Sequence, residues 1–286
     1  MDAQTTERAI VGAEEARASG VSWGAVAAGG IATAALSLLL LALGAGLGFS
    51  SVSPWSNSGT SSTTFNIGAG LYLIVMAMVA STIGGYLAGR LRTKWVGVHT
   101  HEVFFRDTAH GFLAWAFAAV LSAAFLASAA THLAGGAAAG LGQEAEAAAA
   151  NQTRVYGVPM NNFVDMLLRA DPAANRTPMD PTARGEILRI FAVGLRDGGD
   201  LAAPDRVYVA QVVAARTGLG QAEAEKRVAD VIVQAKTALD DARSAAARLS
   251  LWLTASLLIG AFCASLAATE GGQLRDGTWR YDRVRA

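Results

Sequence analysis

Charge is what this sequence has least of. Only 16% of its 286 residues are Asp, Glu, Lys or Arg, against roughly 25% in soluble domains. The shortage is concentrated, because between Arg17 and Arg90 there is no charged residue at all. A water-soluble domain needs ionised groups on its outside, so a run of this length points to lipid. Cysteine is nearly absent as well. The one thiol, Cys263, lies in an apolar stretch, which excludes an intrachain disulfide and a cysteine metal site. The net charge is zero, and without a basic excess there is no electrostatic case for nucleic acid as a partner. No P-loop or strand-borne GxGxxG occurs, and the expectation is a non-enzymatic protein with no cofactor.

What is present is apolar sequence in long blocks. The expected architecture is an all-α membrane protein of four transmembrane helices, with a helical extracytoplasmic domain inserted between helices three and four. The spans are expected at residues 23–49, 67–88, 112–133 and 248–269. The first is about 40 Å long as a helix, enough to cross with some tilt. Residues 1–20 read as a mobile polar tail. They are net acidic, unlike the positive start of a secretory signal. Residues 21–134 form the membrane bundle, and 270–286 a polar tail.

Small residues recur at four-residue spacing within the blocks. Gly44 and Gly48 do so in the first span; in the second, Ser81, Gly85 and Gly89 form one stripe and Ala80, Gly84 and Ala88 another. Side chains this small let helix backbones approach closely, so these residues are expected at helix-packing contacts.

Residues 135–247 shift to a polar, domain-sized composition. Five of the six prolines fall between Gln143 and Ala247, and they punctuate helices. A short helix is expected around Asn162–Arg169. A second is expected from Pro181, capped by Asp180 and ended by Gly198–Gly199, and a third from Pro204 to Thr217 with Gly218 as its stop. No stretch shows strand alternation. From Gln221 there is no proline or glycine until Gly260. Val228, Val231, Ala235, Leu239, Ala242 and Ala246 make one apolar stripe there. The expectation is one helix running from residue 221 into the fourth span. The segment TGLGQAEAEKRV has a helix-turn-helix look, but its second helix opens with Glu223 and Glu225, which repel phosphate.

Orientation follows from the short connectors. The segment 51–66 has no Lys or Arg, whereas 90–111 carries Arg90, Arg92, Lys94 and Arg106, and the C-terminal tail carries Arg275, Arg280, Arg283 and Arg285. The positive-inside rule then places both termini in the cytoplasm and 135–247 outside.

The segment 90–111 also concentrates histidine. His99, His101, Glu102 and His110, with Asp107 nearby, are the candidate metal ligands, since imidazole and carboxylate suit zinc or another divalent ion. His99 and His101 would face one way if the segment were extended. The spacing matches neither HExxH nor a finger. Trp95, Phe104 and Phe105 are expected at the membrane interface, and Asp107 or Thr108 as a helix cap.

Three segments, WGAVAAGGIATAALSLLLLALGAGLG, GGYLAGRLR and HEVFFRDTAHGFLAWA, resemble a family of uncharacterised bacterial inner-membrane proteins often labelled PhnA-like. The resemblance covers roughly Trp23–Thr131. The label points to phosphonate metabolism, but soluble proteins of that name carry metal-ligand clusters that this chain lacks. The resemblance therefore implies an integral inner-membrane protein and no particular activity.

The functional expectation is an inner-membrane scaffold or interaction protein. Its partners are the lipid bilayer and another envelope protein or a second copy. The alternatives are a small carrier or channel, and a metal-responsive protein using the histidine cluster. Against a carrier, the four spans as bounded above hold no Asp, Glu, Lys, Arg or central His.

Overall fold

The computed structural model describes residues 20–53, 55, 58–93, 95, 99–135, 154–155, 158–170, 181–196 and 199–277. Among these the chain is built almost entirely from helices. They are α1 (Trp23–Ser51), α2 (Ser62–Leu91), α3 (Thr100–Gly135), α4 (Asn161–Leu168), α5 (Pro181–Gly194), α6 (Ala203–Thr217) and α7 (Gln221–Asp276). The exception is a two-residue antiparallel ladder, β1 (Arg154–Val155) on β2 (Val158–Pro159), too short to show as alternation in sequence. The chain divides into two units, residues 1–129 with 249–286, and residues 130–248.

Among the described residues four helices are long and apolar enough to cross a membrane: α1, α2, the Thr100–Leu126 part of α3, and α7. The protein is thus an all-α, membrane-embedded protein. α2 starts earlier than its apolar block because Ser61 caps it, its hydroxyl accepting from the Thr64 N–H at 3.2 Å. α3 corrects the expected loop over 90–111, since it starts at Thr100 and not near residue 112. Glu102 in its first turn suits the helix dipole and holds Arg106 one turn on at 2.7 Å. Asp107 and Thr108 are therefore interior helix residues and not caps. The Thr108 hydroxyl bonds back to the Phe104 carbonyl at 3.0 Å.

The two small stripes of α2 serve two different helices. On one, Gly84 packs on Thr33 and the Gly29 backbone of α1, and Ala88 lies against Gly29. On the other, Gly85 and Gly89 lie on the backbone of Ala264 and Ala268 of α7, and Ser81 meets Gly260. Gly111 of α3 touches the same Ala264–Ala268 stretch, and Gly30 of α1 takes Phe117 of α3. In every case a Cβ on the glycine would overlap the neighbour. Contact at this distance supplies dispersion energy where lipid offers no hydrophobic drive between helices. Gly44 and Gly48 are also used within the chain, but under rings. Tyr72 lies on Gly44 and Phe65 on Gly48, and the Tyr72 hydroxyl donates to the Leu40 carbonyl at 2.6 Å.

The second unit has a core of its own. Phe163, Val164 and Leu167 of α4, Ile187 and Phe191 of α5, Val209 and Val213 of α6, and Ala224, Val228, Val231, Ile232, Ala235 and Leu239 of α7 pack together. Of the expected stripe on α7, Ala246 is exposed and Ala242 half-buried. α5 ends at Gly194, before the expected Gly198–Gly199; Asp180 and Gly198 lie outside the described residues. Gly218 ends α6 as expected, in the left-handed conformation (φ 75°) with its N–H on the Ala214 carbonyl. Asp200 gathers α6 and α7 through Arg206 at 2.5 Å and Lys236 at 2.8 Å.

Two measurements check this packing. Gly85→Leu places side-chain atoms in the Ala264 backbone and is expected to destabilise the bundle by about 1–3 kcal/mol. Gly46→Leu, whose Cβ meets nothing within 4 Å, leaves it unchanged, as read by thermal unfolding in detergent. The Lys236 ammonium, then Arg206, holds the Asp200 carboxyl below its ordinary range. That contribution is complete above the unfolded value and is lost as pH falls through the lower folded value, below about 4. Asp200→Asn should flatten the acid limb of the unfolding curve there, and an unchanged limb would rule the linkage out.

Candidate functional site

The densest chemistry lies at one end of the bundle, where the start of α1, the α2–α3 connector and the end of α7 meet. Arg92 leaves α2 in extended backbone (φ −66°, ψ 158°), which turns its side chain back into the bundle. Its guanidinium is fully buried. Nε pairs with Asp107 Oδ1, and Nη2 donates to Asp107 Oδ2 at 2.8 Å, a bidentate match of planar groups. Nη1 donates to the Thr93 carbonyl at 2.9 Å.

α7 supplies the second half. Arg275 donates from Nη1 to the Gly89 carbonyl at 2.7 Å and lies 3.8 Å from Asp107 Oδ1. Its Nε and Nη2 hold Asp276 at 2.9 and 2.6 Å. Asp276 in turn lies 3.7 Å from Arg92. Two arginines and two aspartates thus neutralise one another. Gly272 makes the approach possible, because a Cβ there would overlap the Asp107 carboxylate.

Trp95 is buried at the edge of this cluster. The Arg92 guanidinium carbon lies 4.3 Å from its ring centroid and that of Arg106 4.8 Å, both at cation–π range. The Trp95 ring thus packs against protein, whereas Phe104 and Phe105 stand exposed. His110 meets the Trp95 ring edge-on at 5.8 Å. The Ser22 N–H donates to His110 Nε2 at 2.8 Å. Nε2 must then carry the lone pair, so the proton is on Nδ1, which donates to the Arg106 carbonyl at 2.6 Å. Ser22 also takes the Thr93 N–H on its hydroxyl at 3.3 Å.

The structure does not bring the sequence-predicted ligands together. His99 and His101 are exposed, their rings parallel within 11° at 5.9 Å. Glu102 pairs with Arg106. His110 lies nine residues further along α3, about 13 Å of helix rise, with both ring nitrogens in hydrogen bonds. Among the described residues no group of three or more His, Cys, Asp or Glu side chains is placed to hold a metal ion. His132 belongs to α3, but its side chain lies outside the described residues.

Sequence reasoning missed the partners of Asp107. It took Arg92 and Arg275 only as counters of orientation and 270–286 as a tail, whereas α7 continues through Asp276. The available signal was Gly271–Gly272 inside a charged stretch, a glycine pair that serves no turn and so marks a close approach. Asp107 and His110 lie within α3, N-terminal to the span expected at 112–133, and both are fully engaged.

The second unit carries an open groove of about 560 Å³. Met166, Leu219 and Val231 line its apolar part, with Arg169, Lys226 and Arg227 facing Glu223 and Asp230.

No family model, curated protein or solved structure matches this chain.

Chemically the cluster is closed. Each acid sits on a guanidinium and each imidazole nitrogen on the backbone, so what the arrangement can do is hold four segments together, the start of α1, the α2–α3 connector, α3 and the end of α7. Asp107→Asn leaves Arg92 buried with a neutral partner and is expected to cost about 3–5 kcal/mol. The double variant Arg92→Met/Asp107→Leu, an apolar replacement, should recover most of that loss in detergent unfolding. A double variant as unstable as the single would mean the pair does not act as a unit.

Proposed function

We propose that the protein is a multi-pass inner-membrane scaffold or interaction protein of the bacterial envelope, without enzymatic activity. Both termini lie in the cytoplasm, and the helical unit is extracytoplasmic, where it engages another envelope protein or a second copy. The orientation follows from the basic residues of the α2–α3 connector and the C-terminal tail. The observation that carries the reading is the composition of α7. One unbroken helix lends Val228, Val231, Ala235 and Leu239 to the core of the helical unit. It also lends Gly260, Ala264, Ala268 and Arg275 to the bundle. A binding module and its membrane anchor that share a helix suit a protein whose task is to hold a partner at the membrane. The amphipathic groove on the helical unit, with apolar and charged walls, has the mixed character of a non-obligate contact surface.

Two experiments test this. Reporter fusions after Trp55, Val98, Ala192 and Ala286 are expected to read out, in, out, in, and a cytoplasmic signal at Ala192 overturns the orientation. A photo-crosslinker in place of Gln234, on the groove wall, is expected to give a discrete adduct in living cells. Failure to trap any protein, including a second copy, sinks the scaffold reading.

A further inference from the structure

At the end of the bundle away from the charge cluster, α1 and α2 part. Near Gly29 and Gly84 their backbones touch, but further along the rings of Tyr72 and Phe65 stand between them, over Gly44 and Gly48. Beside these rings the helices enclose a cavity of about 470 Å³, open on one side. Its floor is made by what is missing from Gly44, Gly48, Gly68 and Ala69, and its mouth by the hydroxyl-bearing Ser51, Thr60 and Thr64.

A space of this size is open to its surroundings and takes up whatever medium bathes it. Water is a poor occupant, needing two to four polar partners. Three of the hydroxyls nearby are already committed. Tyr72 donates to the Leu40 carbonyl, Ser51 donates to the Gly48 carbonyl at 2.8 Å, and Thr64 shares a hydrogen bond with Ser61 at 2.9 Å. The walls belong to two of the four helices that are long and apolar enough to span a bilayer. The medium outside the opening is therefore hydrocarbon. The mouth lies where both helices end, at headgroup depth, next to Trp55, which is 78% exposed in the manner of an interfacial anchor.

We infer that this cavity is a binding site for one acyl chain of a bilayer lipid. The chain lies between α1 and α2, and its ester end sits among the hydroxyls of Ser51, Thr60 and Thr64. The inference rests on the bundle being embedded in a membrane. It goes beyond the scaffold reading, because it assigns the bundle a ligand that stays with it when bulk lipid is removed.

Gly68 provides the test. A Cβ there meets nothing within 4 Å, so Gly68→Leu fills the cavity without disturbing the helix contacts. Gly46→Leu adds the same volume at a position that also has open space but does not line the cavity. The full-length protein and both variants are reconstituted into vesicles of oleoyl phosphatidylethanolamine and phosphatidylglycerol, re-extracted in maltoside detergent and weighed by native mass spectrometry. The expected result is one retained phospholipid per chain in the unmodified protein and in Gly46→Leu, and at least a tenfold smaller lipid-bound fraction in Gly68→Leu. Equal retention in all three, or no retained lipid in chains that do enter the vesicles, overturns the acyl-chain site alone. A dimer lost only in Gly68→Leu would make a second copy the occupant and also overturn it. Failure of all three to enter vesicles would overturn the membrane reading beneath it.

Discussion

Burying an ion pair costs several kcal/mol per ion in lost hydration, so a buried pair survives only where geometry repays that cost. Arg92 and Asp107 meet the requirement. The guanidinium meets the carboxylate with two nitrogens, and the remaining donors and acceptors go to Thr93, Arg275 and Asp276. Much of the bundle's arrangement follows from accommodating this pair. α2 must end in extended backbone at Arg92, α3 must begin early enough for Asp107 to lie within it, and α7 must present Gly272 to the carboxylate. His110 and Trp95 then close the cluster against the start of α1. Among the described residues no buried side-chain polar atom is left without a hydrogen-bond partner.

Much of the architecture was legible because it rests on composition. Uncharged runs longer than a bilayer is thick read as spans whatever their neighbours do. Proline and glycine punctuate α5 and α6 by constraints local to the backbone, as Pro181 and Gly218 show. The small-residue stripes of α2 were visible, but not that they divide between α1 and α7, since spacing describes a face and not who occupies it. Gly44 and Gly48 repeat the lesson, for the same spacing that admits a helix backbone also admits the rings of Tyr72 and Phe65.

The candidate site was the least legible part. Three histidines and two acids within a dozen residues resemble a ligand set, but once Thr100 starts a helix, the fold of α3 separates His110 from His101 by more than two turns. The groups that do converge come from Ser22, Arg92, Asp107 and Arg275, positions far apart in the chain. Nothing in local pattern distinguishes an arginine that counts toward orientation from one that is buried, and Arg92 does both.

The Gly–Ala contacts of α7 have a consequence for how the protein is made. Helices α1 to α3 leave the ribosome before α7, with the whole second unit synthesised in between. Their mutual contacts at Gly29, Gly84 and Gly30 draw on nothing that comes later, whereas the Arg92–Asp107 pair is completed only by Arg275 and Asp276 of α7. A three-helix intermediate can therefore assemble, leaving the Gly85–Gly89–Gly111 surface bare. Arrival of α7 covers that surface, and the clasp of Arg275 on the Gly89 carbonyl can form only after it.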